Sequence, residues 1–307
     1  MQFSITLPNC MQIPAITQPW EYALTGRDLA RVAAEADRLG FDKAFVPEHF
    51  LTPTPHLELS GNHYFHAATA QSFFAGATSR IKLGTILTLL PLHNPVILAK
   101  ALATLDWLSE GRAQVTFGVG WLREEFDIIG VPFSARGRRA DECLEAMFTL
   151  WHDEAPSYQG EYVSFADVGF GPKPVQKPHP PIWFGGDSDA ALRRIARFGD
   201  GWAPWLTKPA DLPARLDMLR SAPGYDGRAL DVFFSLAAMN IGEEHVKVDA
   251  VQITELSAQQ TIDQCAELAG YGVTETWVAP PPVSGIEEYL DHMRWVAEEV
   301  VPKCTDL

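Results

Sequence analysis

The sequence has few cysteines, no excess of positive charge and no long hydrophobic run. Cys10, Cys143, Cys265 and Cys304 are far apart in the 307 residues, and their spacing matches neither a zinc site nor a disulfide framework. Acidic residues outnumber basic ones by 39 to 24, which disfavours nucleic acid as a partner. No apolar stretch approaches the roughly 20 residues of a membrane span, and the N-terminal residues lack a signal-peptide pattern. We therefore expect a cytoplasmic protein with no membrane or nucleic-acid partner.

Several motifs that mark particular enzymes are missing too. The sequence contains neither a Gly-x-Ser-x-Gly elbow nor a P-loop, so nucleophilic hydrolysis has little support. The segment after the first predicted strand, PNCMQIPAITQPW (8–20), contains no glycine. A doubly wound nucleotide-binding sheet usually carries its glycine-rich loop at this position.

What the sequence does contain is alternation: short β-branched or aromatic runs are followed by longer segments with a 3.6-residue apolar period. Eight such runs predict an α/β fold in which a parallel sheet closes into a (β/α)8 TIM barrel, with a doubly wound open sheet as the alternative. The predicted strands are 3–7, 41–46, 81–90, 113–119, 182–184, 201–205, 231–239 and 274–279.

The segment 153–181 interrupts the alternation because it is rich in Pro, Gly and Tyr. It predicts an insertion after the fourth βα unit, with a small hairpin that pairs EYVSF (161–165) with VGFGPKP (168–174). We expect residues 1–307 to form a single domain around the barrel.

Candidate catalytic residues are sought where strands end, because barrel enzymes place function at the C-terminal ends of their strands. Glu48 and His49 follow strand two, and such a pair can transfer protons; the alternative is that it only organises the loop. His63 and His66 are three residues apart and could share a helix face, but no third ligand accompanies them. We therefore predict no metal site.

The end of strand four and the helix after it offer candidate ligand contacts. Gly118 and Gly120 could let the backbone approach a ligand, and Trp121 could stack on a planar ligand or simply pack. Farther along, RGRRADECLEAMFTLW (136–151) is an amphipathic helix with basic residues at its beginning. The helix dipole disfavours cations there, so Arg136, Arg138 and Arg139 could hold an anion, although a solvated face is the alternative.

Strand five ends in the run IWFGGDSDAALRRIARFGDGW (182–202). Gly185 and Gly186 break the strand, and Asp187 or Ser188 can cap the following helix. Free N–H groups at a helix N-terminus bind anions, and a serine hydroxyl can add a hydrogen bond. The turn therefore predicts a phosphate site; the alternative is a tight turn that merely uses glycine.

Together these motifs resemble the luciferase-like monooxygenase superfamily, most closely its branch of oxidoreductases that use the deazaflavin coenzyme F420. Residues 81–151 and 180–202 carry the resemblance: IKLGTILTLLPLHNPVILAKALATLDWLSEGRAQVTFGVGWLREEFDIIGVPFSARGRRADECLEAMFTLW and PPIWFGGDSDAALRRIARFGDGW. The resemblance implies a TIM barrel that holds a flavin or deazaflavin in its C-terminal mouth, with the insertion covering that mouth. It also implies a homodimer formed through barrel helices.

The resemblance implies roles for individual residues as well. The cofactor phosphate would lie at Gly185 and Gly186, near Ser188, with help from Gly118 and Gly120. A non-prolyl cis peptide at Ile86–Leu87 would lie behind the cofactor ring, which places Ile86, Leu87 and Thr88 at the cofactor. Glu48 and His49 would be the acid–histidine pair of deazaflavin enzymes. Trp121 stands where some sugar-phosphate dehydrogenases of the branch have glutamate, which argues against sugar-phosphate oxidation.

The function predicted on this basis is hydride transfer between F420 and a small hydrophobic substrate, with His49 managing the proton. The aromatic residues expected at the mouth are Trp20, Phe50, Tyr64, Trp121 and Trp205. The glutamate tail of F420 would pair with Arg136, Arg138 and Arg139, and with Lys173 and Lys177 on the insertion. The alternatives are an FMN-dependent monooxygenase fed by a separate flavin reductase, and a barrel that binds a ligand without catalysis.

Overall fold

The computed structural model describes residues 1–236, 238–242, 245–252 and 255–307. The strands are β1 (Gln2–Phe3), β2 (Ile5–Thr6), β3 (Met11–Gln12), β4 (Lys43–Val46), β5 (His63–Tyr64), β6 (Lys82–Thr85), β7 (Thr88–Leu89), β8 (Ala113–Gly118), β9 (Tyr158–Gln159), β10 (Ser164–Phe165), β11 (Ile182–Gly185), β12 (Gly201–Ala203), β13 (Asp231–Ser235), β14 (Ala238–Gly242), β15 (His245–Gln252) and β16 (Glu275–Trp277). The α-helices are α1 (Gly26–Leu39), α2 (Leu57–Ser60), α3 (Ala67–Ala75), α4 (Pro95–Leu108), α5 (Arg123–Ile129), α6 (Arg136–His152), α7 (Asp189–Phe198), α8 (Leu212–Arg220), α9 (Ala258–Gly270) and α10 (Ile286–Trp295).

The main sheet closes on itself, which confirms the predicted TIM barrel. Its hydrogen-bonded order is β1-β16-β13-β12-β11-β8-β6-β4-β2, with every pairing parallel. Because β1 and β2 are the two halves of one strand interrupted at Ser4, the path ends where it began. Each strand differs from its predicted bounds by one or more residues, and two of the predicted runs depart further. The run 81–90 is divided into β6 and β7, and 231–239 ends at Ser235; Ala238 and Met239 belong to β14, and Ala237 lies outside the described residues.

Caps at several helix ends explain why the helices begin and end where they do. Gly40 follows α1 with φ 86°, a left-handed conformation that glycine adopts readily. The Asn94 side chain accepts hydrogen bonds from the N–H groups of Val96 and Ile97 at the start of α4, next to Pro95. Ser257 and Gln260 form a capping box on α9.

The insertion 153–181 packs along the outside of the barrel, so the expectation that it covers the mouth is wrong. Its hairpin pairs β9 with β10, rather than 161–165 with 168–174. The Glu142 carboxylate on α6 accepts the N–H groups of Glu161, Tyr162 and Val163. Gln176 then donates to the Ala113 carbonyl at the beginning of β8. As an αβ connection, the insertion leaves and rejoins the barrel at the N-terminal ends of the strands. The long connection on the mouth side follows β13 and contains β14 and β15.

The barrel interior is filled, not hollow. Phe45, Trp183 and Phe233 meet at its centre, with ring centroids 6.2 Å apart for Phe45–Trp183 and 5.1 Å apart for Phe45–Phe233. Below them, at the N-terminal ends of the strands, Lys43 forms an ion pair with Glu275; both side chains are at most 3% exposed. Burial would lower the pKa of Lys43, but the carboxylates of Glu275 and Asp42 raise it above its usual value.

Cysteines that are distant in the sequence come together in the fold. The side chains of Cys265, on α9, and Cys304, near the C-terminus, are within hydrogen-bonding distance of each other. All four cysteines are buried and free. Burial, with Cys304 next to it, raises the pKa of the Cys265 thiol to about 12, so this pair is a packing contact of protonated thiols.

Removing Lys43 should destabilise the barrel, because it leaves the Glu275 carboxylate buried without its cation. We expect Lys43→Met to lower the free energy of unfolding by about 3–5 kcal/mol, measured by urea denaturation. The double variant Lys43→Met/Glu275→Leu removes both charges and should recover most of this loss. A double variant no more stable than the single one would show that the unpaired carboxylate is not the cause.

Candidate active site

The mouth of the barrel is shaped by the end of strand three. The Ile86–Leu87 peptide is cis, as the family resemblance implied, and it separates β6 from β7. Ile86 and Leu87 are half-buried, whereas Thr88 is buried and its hydroxyl donates to the Thr85 hydroxyl, 3.1 Å away. A Cβ atom at Gly118 or at Gly185 would overlap a terminal methyl group of Leu87. These two glycines therefore make room for Leu87, and that packing accounts for them without a ligand.

Gly120 and Trp121 begin the loop after β8. Gly120 has φ 76°, and a Cβ there would lie 2.7 Å from the ring of Phe126, so both conformation and space favour glycine. The ring of Trp121 lies edge-to-face with His49 and with His56, at centroid distances of 6.3 and 5.9 Å. Trp121 is thus held beside the candidate catalytic histidine.

The partner of His49 is Glu125, which the sequence analysis did not identify. His49 Nδ1 lies 2.9 Å from Glu125 Oε2, and the carboxylate is fully buried on α5. Glu125 Oε1 also accepts the N–H of Phe50 at 2.8 Å. A carboxylate acceptor fixes the ring so that Nδ1 carries the proton, which leaves Nε2 as the nitrogen able to exchange a proton with a substrate. In the sequence, Glu125 could have been found only from the pattern REEF (123–126), which places two carboxylates directly after the strand-four glycines.

Glu48, the acidic member of the predicted Glu48–His49 motif, bonds to His93 and not to His49. Its buried carboxylate lies 2.7 Å from His93 Nε2 and accepts the N–H groups of Leu89 and Ala67. Burial would raise the pKa of Glu48, but the hydrogen bond and charge of His93, with the charge of His66, hold it below its usual value. Glu48 thus ties strand two to strand three and lies behind the site.

The turn after β11 contains Asp187, whose side-chain carboxylate is already hydrogen-bonded. Gly186 has φ 113°, and its carbonyl accepts the indole N–H of Trp202 at 2.8 Å. The Asp187 carboxylate accepts the N–H groups of residues 205–207 and the Thr207 hydroxyl. Ser188 caps α7 by accepting the N–H of Ala191. A cofactor phosphate at this turn would therefore meet Gly186 and the first turn of α7, because Asp187 is directed at the neighbouring loop.

The predicted cationic residues separate into two groups at opposite ends of α6. Arg138 is exposed at its beginning, where Arg139 donates to the Pro91 carbonyl and lies over the ring of Tyr162. Lys173 instead donates to the carbonyls of Leu150 and Asp153 at the end of the helix. The 17 residues of α6 span roughly 25 Å, so Lys173 is too far from the mouth to meet a cofactor there. Lys177, which bonds to the Pro174 carbonyl, is on the same side as Lys173.

The other predicted residues occupy varied positions. Tyr64 lies edge-to-face with His49 at 4.9 Å, and Phe50 packs on His93 at 5.0 Å. Trp205 is 46% exposed on the loop held by Asp187. Trp20 packs on Tyr289 instead, beside a separate pocket between the ends of strands one and eight. The residues that line this pocket include Thr6, Asn9, Gln18, Glu21, Trp277 and Tyr289.

The two histidines considered as metal ligands do not converge on one site. His63 Nε2 bonds to the Asn9 carbonyl, whereas His66 caps α3 by accepting the N–H of Thr69. In the described ranges, no three acidic, histidine or cysteine side chains are grouped so as to hold a metal ion. Nor does any helix there have the length and apolar character needed to cross a bilayer.

Comparison with known proteins identifies the family. Residues 1–255 match the family model described as luciferase-like monooxygenase. The chain belongs to this family. It is 34% identical over 270 residues to an uncharacterised protein of Mycobacterium tuberculosis, covering 82% of this chain and 86% of that one. Its barrel also matches the structure of the coenzyme F420-dependent tetrahydromethanopterin reductase from Methanopyrus kandleri, with TM-score 0.73, 19% identity and 98% coverage of both chains.

Relatives with both types of cofactor are found in this luciferase-like family. An FMNH2-dependent dimethylsulfone monooxygenase of Pseudomonas putida is 30% identical over 206 residues, covering 66% of this chain and 55% of that one. An F420-dependent glucose-6-phosphate dehydrogenase of Kineococcus radiotolerans is 31% identical over 188 residues, covering 60% and 54%. Family membership supports an oxidoreductase or monooxygenase and leaves the choice between flavin and deazaflavin open.

The lowered pKa of Glu48 predicts a pH dependence of stability. Because the folded-state value lies below the unfolded value of about 4.3, ionised Glu48 adds stability above that pH, and the gain is lost as pH falls through the folded-state value. Replacing Glu48 with Gln should lower the thermal unfolding midpoint at pH 7, and the difference from wild type should shrink towards pH 3. A difference that stays constant over this range would contradict the assignment.

Proposed function

We propose that the protein is an F420-dependent oxidoreductase acting on a small, hydrophobic organic substrate. When bound, the deazaflavin supplies hydride transfer. Support for the deazaflavin comes from the arginines at the start of α6. Among the described residues, Arg136, Arg138 and Arg139 form no ion pair, although the chain has a net charge of −15. The glutamate tail of F420 would pair with such cations, whereas FMN has no tail.

The residues of the mouth suit such a ring system. Leu87, seated against Gly118 and Gly185, presents a half-buried apolar surface at the ends of strands three, four and five. Backbone N–H groups at the start of α7, with Gly186 and Ser188, would hold the cofactor phosphate. Phe50, Tyr64 and Trp121 would line the substrate side.

His49 would donate or accept the proton that accompanies hydride transfer. Its Nδ1 is held by the buried Glu125, so Nε2 is left for the substrate. Glu125 also accepts the N–H of Phe50 and therefore fixes the loop that carries His49. Glu48 would have an indirect, structural role, because its bond to His93 holds strands two and three together.

The alternative is an FMN-dependent monooxygenase supplied with reduced flavin by a separate reductase, as the Pseudomonas relative indicates. Purified protein is titrated with F420 and with FMN, and binding is followed by fluorescence. The proposal expects tight binding of F420 and oxidation of reduced F420 by members of a panel of small hydrophobic ketones. Tight binding of FMN alone, with oxygen consumed when reduced FMN and a substrate are supplied, would overturn it.

His49→Ala should leave F420 affinity within about two-fold of wild type and lower turnover by about 10²–10⁴-fold, the usual contribution of a general acid or base. His152→Ala, at the far end of α6, is the matched control and should keep the wild-type rate. Equal turnover in wild type and His49→Ala would remove His49 from the mechanism.

We also propose that the chain forms a homodimer through α3 and α4. Ile97, Trp107 and Leu108 on α4 are 71%, 59% and 55% exposed, and Phe73 on α3 is 51% exposed. Large apolar side chains grouped on adjoining helices mark interaction surfaces. Ile97→Glu should shift the mass measured by light scattering from two chains to one. Ile128→Glu, which changes a 63% exposed isoleucine on α5, should not. A wild-type mass of one chain at all concentrations would contradict the dimer.

A further inference from the structure

Four arginines lie at the beginnings of α5 and α6 without an ion pair to an acidic side chain of the described residues. They are Arg123, Arg136, Arg138 and Arg139. None of these four forms an ion pair within the described part of the chain, whereas eight other arginines do. Neighbouring acids are engaged elsewhere: Glu124 with His56, and Asp141 with Arg194. The cluster is therefore a local cationic surface on an acidic protein.

Two of these arginines share one aromatic ring. The guanidinium carbons of Arg123 and Arg136 lie 4.4 and 3.8 Å from the centroid of Phe133. Burial and the nearby charge of Arg123 lower the pKa of Arg136. Arg136 donates one N–H to the Phe133 carbonyl, but its Nε is shielded from water and has no partner among the described residues. A bound anion would offset the repulsion between the two guanidinium groups and would accept a hydrogen bond from the unpaired Nε–H of Arg136.

This arrangement adjoins the mouth. The ring of Phe133 packs edge-to-face on Phe126, 5.3 Å away, and Phe126 lies against Gly120 in the loop that carries Trp121. Arg136 is the first residue of α6, where the positive end of the helix dipole also favours an anion.

We propose that Arg123, Phe133 and Arg136 form a clamp for a chain of carboxylates. This inference rests on the proposed function, in which the chain is the glutamate tail of F420. The planar forks of the two arginines match carboxylates, and the ring between them fixes their spacing. The exposed Arg138 extends the clamp outward. Arg139 is not part of the clamp, because its guanidinium lies over the ring of Tyr162 and not over that of Phe133. The clamp therefore differs from the sequence-based candidates by including Arg123 and Phe133.

The test compares three probes by fluorescence titration or competition: F420 with its glutamate tail, the corresponding deazaflavin phosphate without glutamates, and free triglutamate. At low salt, wild type should bind the tailed form about ten-fold more tightly than the tail-less form, and added salt should reduce this preference. The double variant Arg123→Gln/Arg136→Gln should bind both forms equally. Arg193→Gln, an exposed arginine on α7, is the control and should keep the preference.

The outcomes separate this inference from the proposed function. Equal affinity of wild type for the tailed and tail-less forms would overturn the clamp and remove the support that the arginines give to F420. Tight binding of both forms, with oxidation of reduced F420, would still uphold the proposed hydride transfer. Binding of neither deazaflavin, with tight binding of FMN, would overturn both. The wild-type comparison decides the matter even if the double variant fails to fold. Competition by free triglutamate against the tailed form alone would show that the clamp recognises carboxylates independently of the ring.

Discussion

The contact of Leu87 with Gly118 and Gly185 is the constraint on which the mouth of this barrel depends. Three neighbouring strands end here, and the Leu87 side chain fills the space beside the two glycines. Any larger residue at either glycine would have to displace Leu87, because protein interiors are close-packed and have no spare volume. The loop that leads to Trp121 and α5 starts at Gly118, next to Leu87.

Glu125 fixes the position of His49, the candidate catalytic residue, relative to the mouth. It lies on α5, the helix that follows the strand-four loop, and it bonds both to the ring of His49 and to the next backbone N–H. Without this hydrogen bond, a histidine on a loop would sample several rotamers, and its ring would less often be oriented for proton transfer. The carboxylate links strand two to strand four across the mouth, just as Glu48 and His93 link strand two to strand three.

The fold could be predicted from the sequence because hydrophobic periodicity reports burial directly. All eight barrel strands lie within or next to the predicted runs. The side-chain pairs could not be predicted. Glu48 and His49 are adjacent in extended chain, so their side chains point to opposite sides, and each finds a partner from another strand or helix. The insertion 153–181 was placed over the mouth by resemblance alone, whereas it leaves and rejoins the barrel at the N-terminal ends of the strands and its hairpin packs along the outside of α6. Asp187 or Ser188 was expected to cap α7; Ser188 does so, whereas the hydrogen bonds of Asp187 go to a loop 18–20 residues away.

The closed floor of the barrel has a consequence for the order of events. Aromatic rings fill the centre, and the Lys43–Glu275 pair lies beneath them, so molecules can reach the site only from one end. A molecule seated deepest must arrive first and depart last. Two ligands that share such a single entrance cannot exchange independently, and the residence time of the outer one then limits the exchange of the inner one.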